Sequence, residues 1–254
     1  MEDLGIRECV TIEELDQCVK LQREVFGLPD LEISPVRHLI VSRQAGGWTL
    51  GAFVGSRLVG FVHLLVALQG KDEIIGYSHM MAVQKDYQNR GLGARLKWAQ
   101  RARALAEGRR LIKWTWEPMQ ARNAHFNLNR LGVFVGGYAE NFYGIDYVTD
   151  PAQKLLAAPG LASDRLSATW ELESPRVIDL AGGATAMAPP NPVDTIEIPA
   201  DWTNLLKQDL KAAKRERLRV RSEFLQAFAK GLICAGFDRL SARPRYLLYG
   251  TPKP

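Results

Sequence analysis

One stretch narrows what this chain can fold into more than any other: Met80-Met81-Ala82-Val83-Gln84-Lys85-Asp86-Tyr87-Gln88-Asn89-Arg90-Gly91-Leu92-Gly93-Ala94-Arg95-Leu96. Ile74 to Val83 is rich in β-formers and reads as a strand. A polar turn with two glycines follows. Leu92, Leu96, Ala99 and Ala106 then fall at helical spacing, so a helix starting at the second glycine runs to about Gly108, a good C-terminal stop. In such a turn successive backbone N–H groups point inward, with the positive end of the helix dipole behind them. Gly91 and Gly93 lack side chains, so the backbone can approach a phosphate and take positive φ where needed. The unit is a cradle for a pyrophosphate.

Two familiar phosphate loops are excluded. The Gly-Lys-Ser/Thr ending of a Walker loop is absent. The third glycine of the dinucleotide fingerprint is replaced by Leu96.

Around this unit the chain alternates strands and helices. Thr11-Ile12-Glu13-Glu14 supplies an N-cap and an acidic first turn, and Leu15, Val19 and Leu21 carry a helix to Phe26 and Gly27. Pro35 to Val41 suits a second short helix. Trp48–Val54 and Leu58–Leu65, joined through Gly55-Ser56-Arg57, form a hairpin. Leu111–Trp116 is the next strand, stopped by Pro118, and Asn123–Leu131 reads as a short helix ended by Gly132. Strands are expected at Val133–Ile145, Leu166–Leu172, Ile196–Pro199, Leu232–Phe237 and Arg245–Tyr249, with a long helix from Trp202 to Ala229. Alternation of this kind argues for a layered α/β sheet. Gly182–Pro192 is the clearest linker-like stretch, giving a division into 1–180, a linker at 181–195, and a C-terminal helix–hairpin extension at 196–254.

Gln88-x-x-Gly91-x-Gly93 after Met80-Met81-Ala82-Val83 resembles the acetyl-CoA loop of the GNAT superfamily, and the likeness covers about residues 5–150. The resemblance implies a mixed, mostly antiparallel sheet with flanking helices, in which acetyl-CoA or another acyl-CoA is the co-substrate. Met81, Ala82, Val83, Gln88, Asn89, Arg90, Gly91, Leu92, Gly93 and Ala94 would hold it, with Asn123 or Asn127 on the pantetheine arm. Trp114-Thr115-Trp116-Glu117-Pro118, Arg122–Gly132, Asn141–Gly144 and Ser163–Leu166 before Trp170-Glu171-Leu172 are similar to longer acetyltransferases, some related to amino-acid N-succinyltransferases. The family tyrosine after the asparagine helix has no counterpart, since Asn129-Arg130-Leu131 stands there.

The implied reaction is transfer of an acetyl, succinyl or related acyl group to a small-molecule amine by direct attack in a ternary complex. A strand N–H near Met81 or Ala82 would meet the developing oxyanion. The amine must lose its proton, because free amines are charged at neutral pH. Three side chains are candidates: His79, two residues before Met81 and so expected on its face; Glu117, at the end of a strand; and Tyr143, which could protonate the leaving thiolate. The plainer readings are a hydrogen-bonded core or rim histidine at His79, a helix-entry charge before Pro118 at Glu117, and core packing at Tyr143. Arg122 and Arg165 are candidates for gripping a substrate carboxylate through a bidentate fork. A surface ion pair between Arg165 and Asp164 is the plainer reading.

Composition limits the rest. Of 254 residues 46% are hydrophobic and 24% charged, which excludes wholesale disorder. No apolar run approaches a membrane span, and the acidic start is not a secretory signal. Cys9, Cys18 and Cys234 are too few for a disulfide frame or a zinc site, so the expected compartment is cytoplasmic and no metal is expected. The net charge of +5 suits an anionic ligand but also an ordinary surface. Seven basic residues lie between Lys207 and Arg221. With few aromatics among them, they read as a solvated helix face in preference to a nucleic-acid surface. A non-catalytic acyl-CoA-binding protein and a nucleic-acid binder using this helix stay open beside the enzyme, as does a homodimer.

Overall fold

The computed structural model describes residues 4–27, 29–144, 160–240 and 242–250. The chain is a mixed α/β protein whose packing divides it inside one strand, between Ile112 and Lys113.

The first unit contains β1 (Leu4–Glu8), α1 (Ile12–Phe26), α2 (Val36–Gln44), β2 (Trp48–Val54), β3 (Arg57–Gln69), β4 (Glu73–Val83) and α3 (Leu92–Ala106), and ends in the first residues of β5 (Leu111–Trp116). Its strands pair antiparallel in the order β1-β2-β3-β4. Thr11 caps α1 and Gly27 closes it at φ 59°, as the sequence predicts, and Glu14 completes a capping box with Thr11. The apolar stripe of α1 (Leu15, Cys18, Val19, Leu21) buries against Phe53, Leu58, Phe61 and Ala82. At about 1.5–3 kcal/mol per fully buried large side chain, this stripe is what holds α1 to the sheet. On the other face Leu92 and Leu96 of α3 close over Gly60, where a Cβ would stand 3.2 Å from Leu96 Cδ1. Cys9, Cys18 and Cys234 are buried free thiols. The short strand β1 was not expected. Five residues give too little pattern, and its pairing with β2 defines it.

β4 contains one extra residue. Met80 lies opposite His63 and Ser78 opposite Leu64, so His79 is a β-bulge. Ser78 on one face bonds Lys97 and Gln100 of α3, whereas the His79 ring packs beside His38 of α2. The bulge breaks the period-2 alternation between His79 and Met81. The two therefore do not share a face, contrary to the expectation from spacing.

The second unit contains the rest of β5, α4 (Ala121–Ala124), β6 (Phe134–Ala139), β7 (Arg165–Glu171), α5 (Pro175–Ala181), β8 (Asp194–Glu197), α6 (Trp202–Gln208), α7 (Leu210–Ala229), β9 (Leu232–Asp238) and β10 (Arg245–Gly250). The strand order is β5-β7-β6-β9-β10-β8. The linker-like stretch lies between α5 and β8, and β6 before it pairs with β9 after it. Phe224 of α7 anchors this unit, with the rings of Tyr138 and Tyr246 at 5.7 and 5.0 Å.

Several boundaries differ from expectation for visible reasons. The helix expected at Trp202–Ala229 breaks at Asp209, whose extended backbone (φ −146°) lets its carboxylate cap α7 at the Ala212 N–H. The helix expected at Asn123–Leu131 is one α turn followed by a π-helical turn at His125–Arg130. The strand expected to reach Ile145 ends at Ala139, before a turn in which Asn141 has φ 48°, and Ile145 lies outside the described residues. α5 went unnoticed in the sequence although Pro175 stands at its start. Among the described residues no helix is long and apolar enough to cross a membrane.

The π turn holds Asn129 against β9. Its side-chain amide donates to the Phe237 carbonyl at 2.9 Å and its oxygen accepts the Phe237 N–H at 2.9 Å, all buried. The residue in place of the family tyrosine is thus a strand partner for β9. Asn129→Ala leaves two buried backbone groups unpaired and is expected to cost about 3 kcal/mol. Urea melts of the variant read this loss directly.

Candidate functional site

In the first unit the glycine turn has the geometry its sequence requires. β4 ends at Val83, and a single 3-10 turn at Lys85–Tyr87 leads into Gln88, whose side chain donates to the Val83 carbonyl at 2.8 Å. Asn89 and Gly91 both take left-handed backbone, at φ 60° and 82°. α3 begins at Leu92, one residue earlier than expected, with Gly91 as its N-cap and Gly93 inside the first turn. Gly91, not Gly93, is therefore the residue whose backbone demands glycine. No side chain caps this helix end, and the first intrahelical bond runs from the Arg95 N–H to the Gly91 carbonyl. The amides of Leu92, Gly93 and Ala94 precede that bond and belong to the helix's positive end. A Cβ on Gly91 would meet nothing within 4 Å, so the approach to its backbone is open. Met81, Ala82 and Val83 complete the strand that leads into this turn.

The same unit gathers three histidines. His38 of α2, His63 of β3 and His79 of β4 have ring centroids 5.7 to 6.0 Å apart. His63 Nδ1 lies 2.8 Å from Thr49 Oγ1. Burial, with His79 and His38 nearby, pushes the His63 imidazole down to about 3. Burial and His38 lower His79 as well.

In the second unit Glu117 follows β5 and is held by Arg217 at 3.1 Å and Arg165 at 3.3 Å. Burial pushes its carboxyl up, against the pull of these two guanidiniums. Arg165 also lies over the Tyr143 ring, 5.1 Å from its centroid, so Glu117, Arg165 and Tyr143 form one constellation. Tyr143 itself is exposed, edge-on to Phe142, with its backbone N–H on Ser163 Oγ. Arg122 and Asn123 lie on the exposed side of α4, and Asn127 is buried in the π turn.

The Asp164 carboxylate does not pair with Arg165, whose guanidinium donates to the Asp164 backbone carbonyl at 3.3 Å. That fully buried carboxylate takes two bonds from Arg221, at 2.7 and 2.9 Å, one from the Tyr138 hydroxyl at 2.8 Å and one from the Asn141 N–H at 3.0 Å. Arg221 also reaches Glu140. Arg217 further donates to the Ala162 carbonyl and lies over the Trp202 ring. The reading of 207–221 as a solvated face therefore holds for Lys207, Lys211, Lys214 and Arg215, which are exposed, and fails for the residues after them. Arg217 is buried, Arg219 is braced by Glu216 and Glu223, and Arg221 is half-buried. The sequence signal was the i, i+4 spacing of Arg217 and Arg221, which puts both on one helix face.

Removing one partner of a buried ion pair costs more than the pair contributes. Arg217→Met is expected to destabilise the protein by about 3 kcal/mol, and adding Glu117→Gln to recover part of that loss. A four-corner set of chemical melts tests it; strictly additive losses would exclude the coupling.

With this geometry in place, residues 14–132 match the model of the acetyltransferase (GNAT) family. No curated protein sequence matches the chain. Among solved structures, the ribosomal-protein-S18-alanine N-acetyltransferase of Escherichia coli superposes with a TM-score of 0.52 at 14% identity, over 68% of this chain and 96% of that one. A GNAT-family acetyltransferase of Streptococcus pneumoniae superposes with a TM-score of 0.50 at 20% identity, over 66% and 98%. At such identities the likeness is one of fold.

Proposed function

We propose that this chain, whose residues 14–132 match the model of the acetyltransferase (GNAT) family, is an acyl-CoA N-acyltransferase that moves an acetyl, succinyl or related acyl group to the amine of a small molecule, an amino acid among the candidates. The observation that carries the reading is the turn from Gln88 to Ala94, with Gly91 at φ 82° and the uncapped start of α3 behind it.

In this reading the backbone N–H groups of residues 88–94 take the pyrophosphate of CoA, where the helix dipole adds a favourable field. Asn123 or Asn127 serves the pantetheine arm, and an N–H near Met81 or Ala82 serves the thioester oxygen. The neutral amine attacks the thioester carbonyl carbon. A C–N bond forms, the C–S bond breaks, and the electron pair leaves on sulfur as a thiolate. One proton leaves the nitrogen and one is available to the thiolate, so the exchange balances. His79 and Glu117 are the candidates for taking the first, and Tyr143 for giving the second. Arg122 and Arg165 are the candidates for a carboxylate on acceptor or acyl group.

Gly91→Val forces a β-branched residue into left-handed backbone, which such residues rarely adopt. It is expected to weaken CoA binding about 30-fold, on the order of 2 kcal/mol, as read by calorimetry on a variant whose melt shows it folded. Unchanged affinity would remove the turn from the cofactor site. Glu117→Gln, His79→Gln and Tyr143→Phe are compared by thiol release, using acetyl-, succinyl- and longer acyl-CoAs against amino acids and polyamines. A true proton carrier should lose about 100-fold in turnover; three fully active variants would refute the assignments.

A further inference from the structure

Three buried ring nitrogens in the first unit lack a hydrogen-bond partner among the described residues: His38 Nε2, His63 Nε2 and His79 Nδ1. Polar atoms cut off from water are almost always paired, and three such atoms on neighbouring rings call for a shared partner. One nitrogen from each of these histidines lies within 4.8 Å of those of the other two. We infer that His38, His63 and His79 form a binding site for a divalent transition metal of the zinc class.

The donor set favours this class. Neutral imidazole suits Zn2+, Co2+ and Ni2+, whereas Mg2+ and Ca2+ require oxygen ligands. Three histidines with a fourth position left to water form a recognised zinc arrangement. Zn–N bonds near 2.1 Å bring tetrahedral nitrogens to about 3.4 Å apart, so binding draws the three rings inward by a small side-chain movement. The surroundings fit as well. With its proton on Nδ1, His63 donates to Thr49 Oγ1 at 2.8 Å and leaves Nε2 as a lone pair directed away from that bond. Such a second contact fixes the tautomer of a metal-bound histidine.

The backbone supplies a separate argument. The bulge at His79 interrupts an otherwise continuous β3–β4 ladder and brings this side chain beside His38 and His63. Bulges recur where a side chain must be re-aimed for function. His63 is fully buried, and His38 and His79 are only partly so, which leaves an approach for the ion. A metal there ties α2 to β3 and β4. It also occupies the lone pair that His79 would need for proton transfer, so ligation and general-base catalysis by His79 exclude each other.

The site does not rest on the acyl-transfer reading, and its test needs no acyl-CoA. Full-length protein stripped with a chelator is titrated with Zn2+ and with Co2+. Bound metal per chain is measured by elemental analysis after gel filtration, and the Co2+ site is followed by its visible d–d bands. The expected result is one metal per chain, with Co2+ bands of low-symmetry nitrogen coordination. His38→Ala and His79→Ala, at partly exposed positions, should each weaken binding by at least about 100-fold, with circular dichroism confirming the fold. The proposal is overturned if the wild-type protein binds less than stoichiometric metal, or if both variants bind as the wild type does.

Discussion

The antiparallel ladder between β3 and β4 is the interaction on which the first unit depends. It runs from Gly60 opposite Val83 to Gln69 opposite Glu73. Because side chains alternate across such a ladder, β3 and β4 can serve two layers at once. One face receives α1 and α2 and the other receives α3. The ladder also delivers the chain at Val83 in the direction that lets the next residues turn over the start of α3. A rigid strand before the turn and a packed helix after it leave the amides of residues 88–94 little freedom. Such preorganisation is what allows a backbone site to bind an anion without ordering itself first.

The second unit is organised by buried charge. Asp164 is fully buried and Glu117 partly so, and each is matched by guanidinium from α7. An unpaired buried carboxylate would be far more costly than the pair, so both carboxylates depend on the seating of α7. The four-residue spacing of Arg217 and Arg221 puts both on one face of that helix. Burial raises the proton affinity of Glu117, and the two arginines that engage it offset part of that rise. Any chemistry at Glu117 would therefore be coupled to the seating of α7.

Much of the fold was legible in the sequence where local physics sufficed. The N-cap at Thr11 and the glycine stop at Gly27 defined α1, and the Gly-Ser turn joined the β2–β3 hairpin at its observed place. β5 has the bounds its composition suggested. Legibility failed where one residue's conformation depended on a distant partner. Asp209 bends a helix that propensity alone would continue, because its carboxylate caps the next segment better than its backbone continues the last. Asn129 reads as a helix residue in a polar run, yet its role is set by Phe237, more than a hundred positions later.

The sequence alone determined the glycine turn and the helix behind it, because those depend on residues within one strand–turn–helix unit. It also determined that the chain alternates strands and helices, which period and turn chemistry record locally. Only the tertiary structure decided which side chains meet. His38, His63 and His79 follow no ligand spacing along the chain; the β3–β4 register, one bulge and the packing of α2 bring their nitrogens together. Likewise two arginines of a run that looks solvated, the buried Arg217 and the half-buried Arg221, become partners of Glu117 and Asp164 once α7 packs. The physical reason is the same in both cases: a side chain's charge and bonding are set by what packs against it, and packing partners lie far apart in sequence.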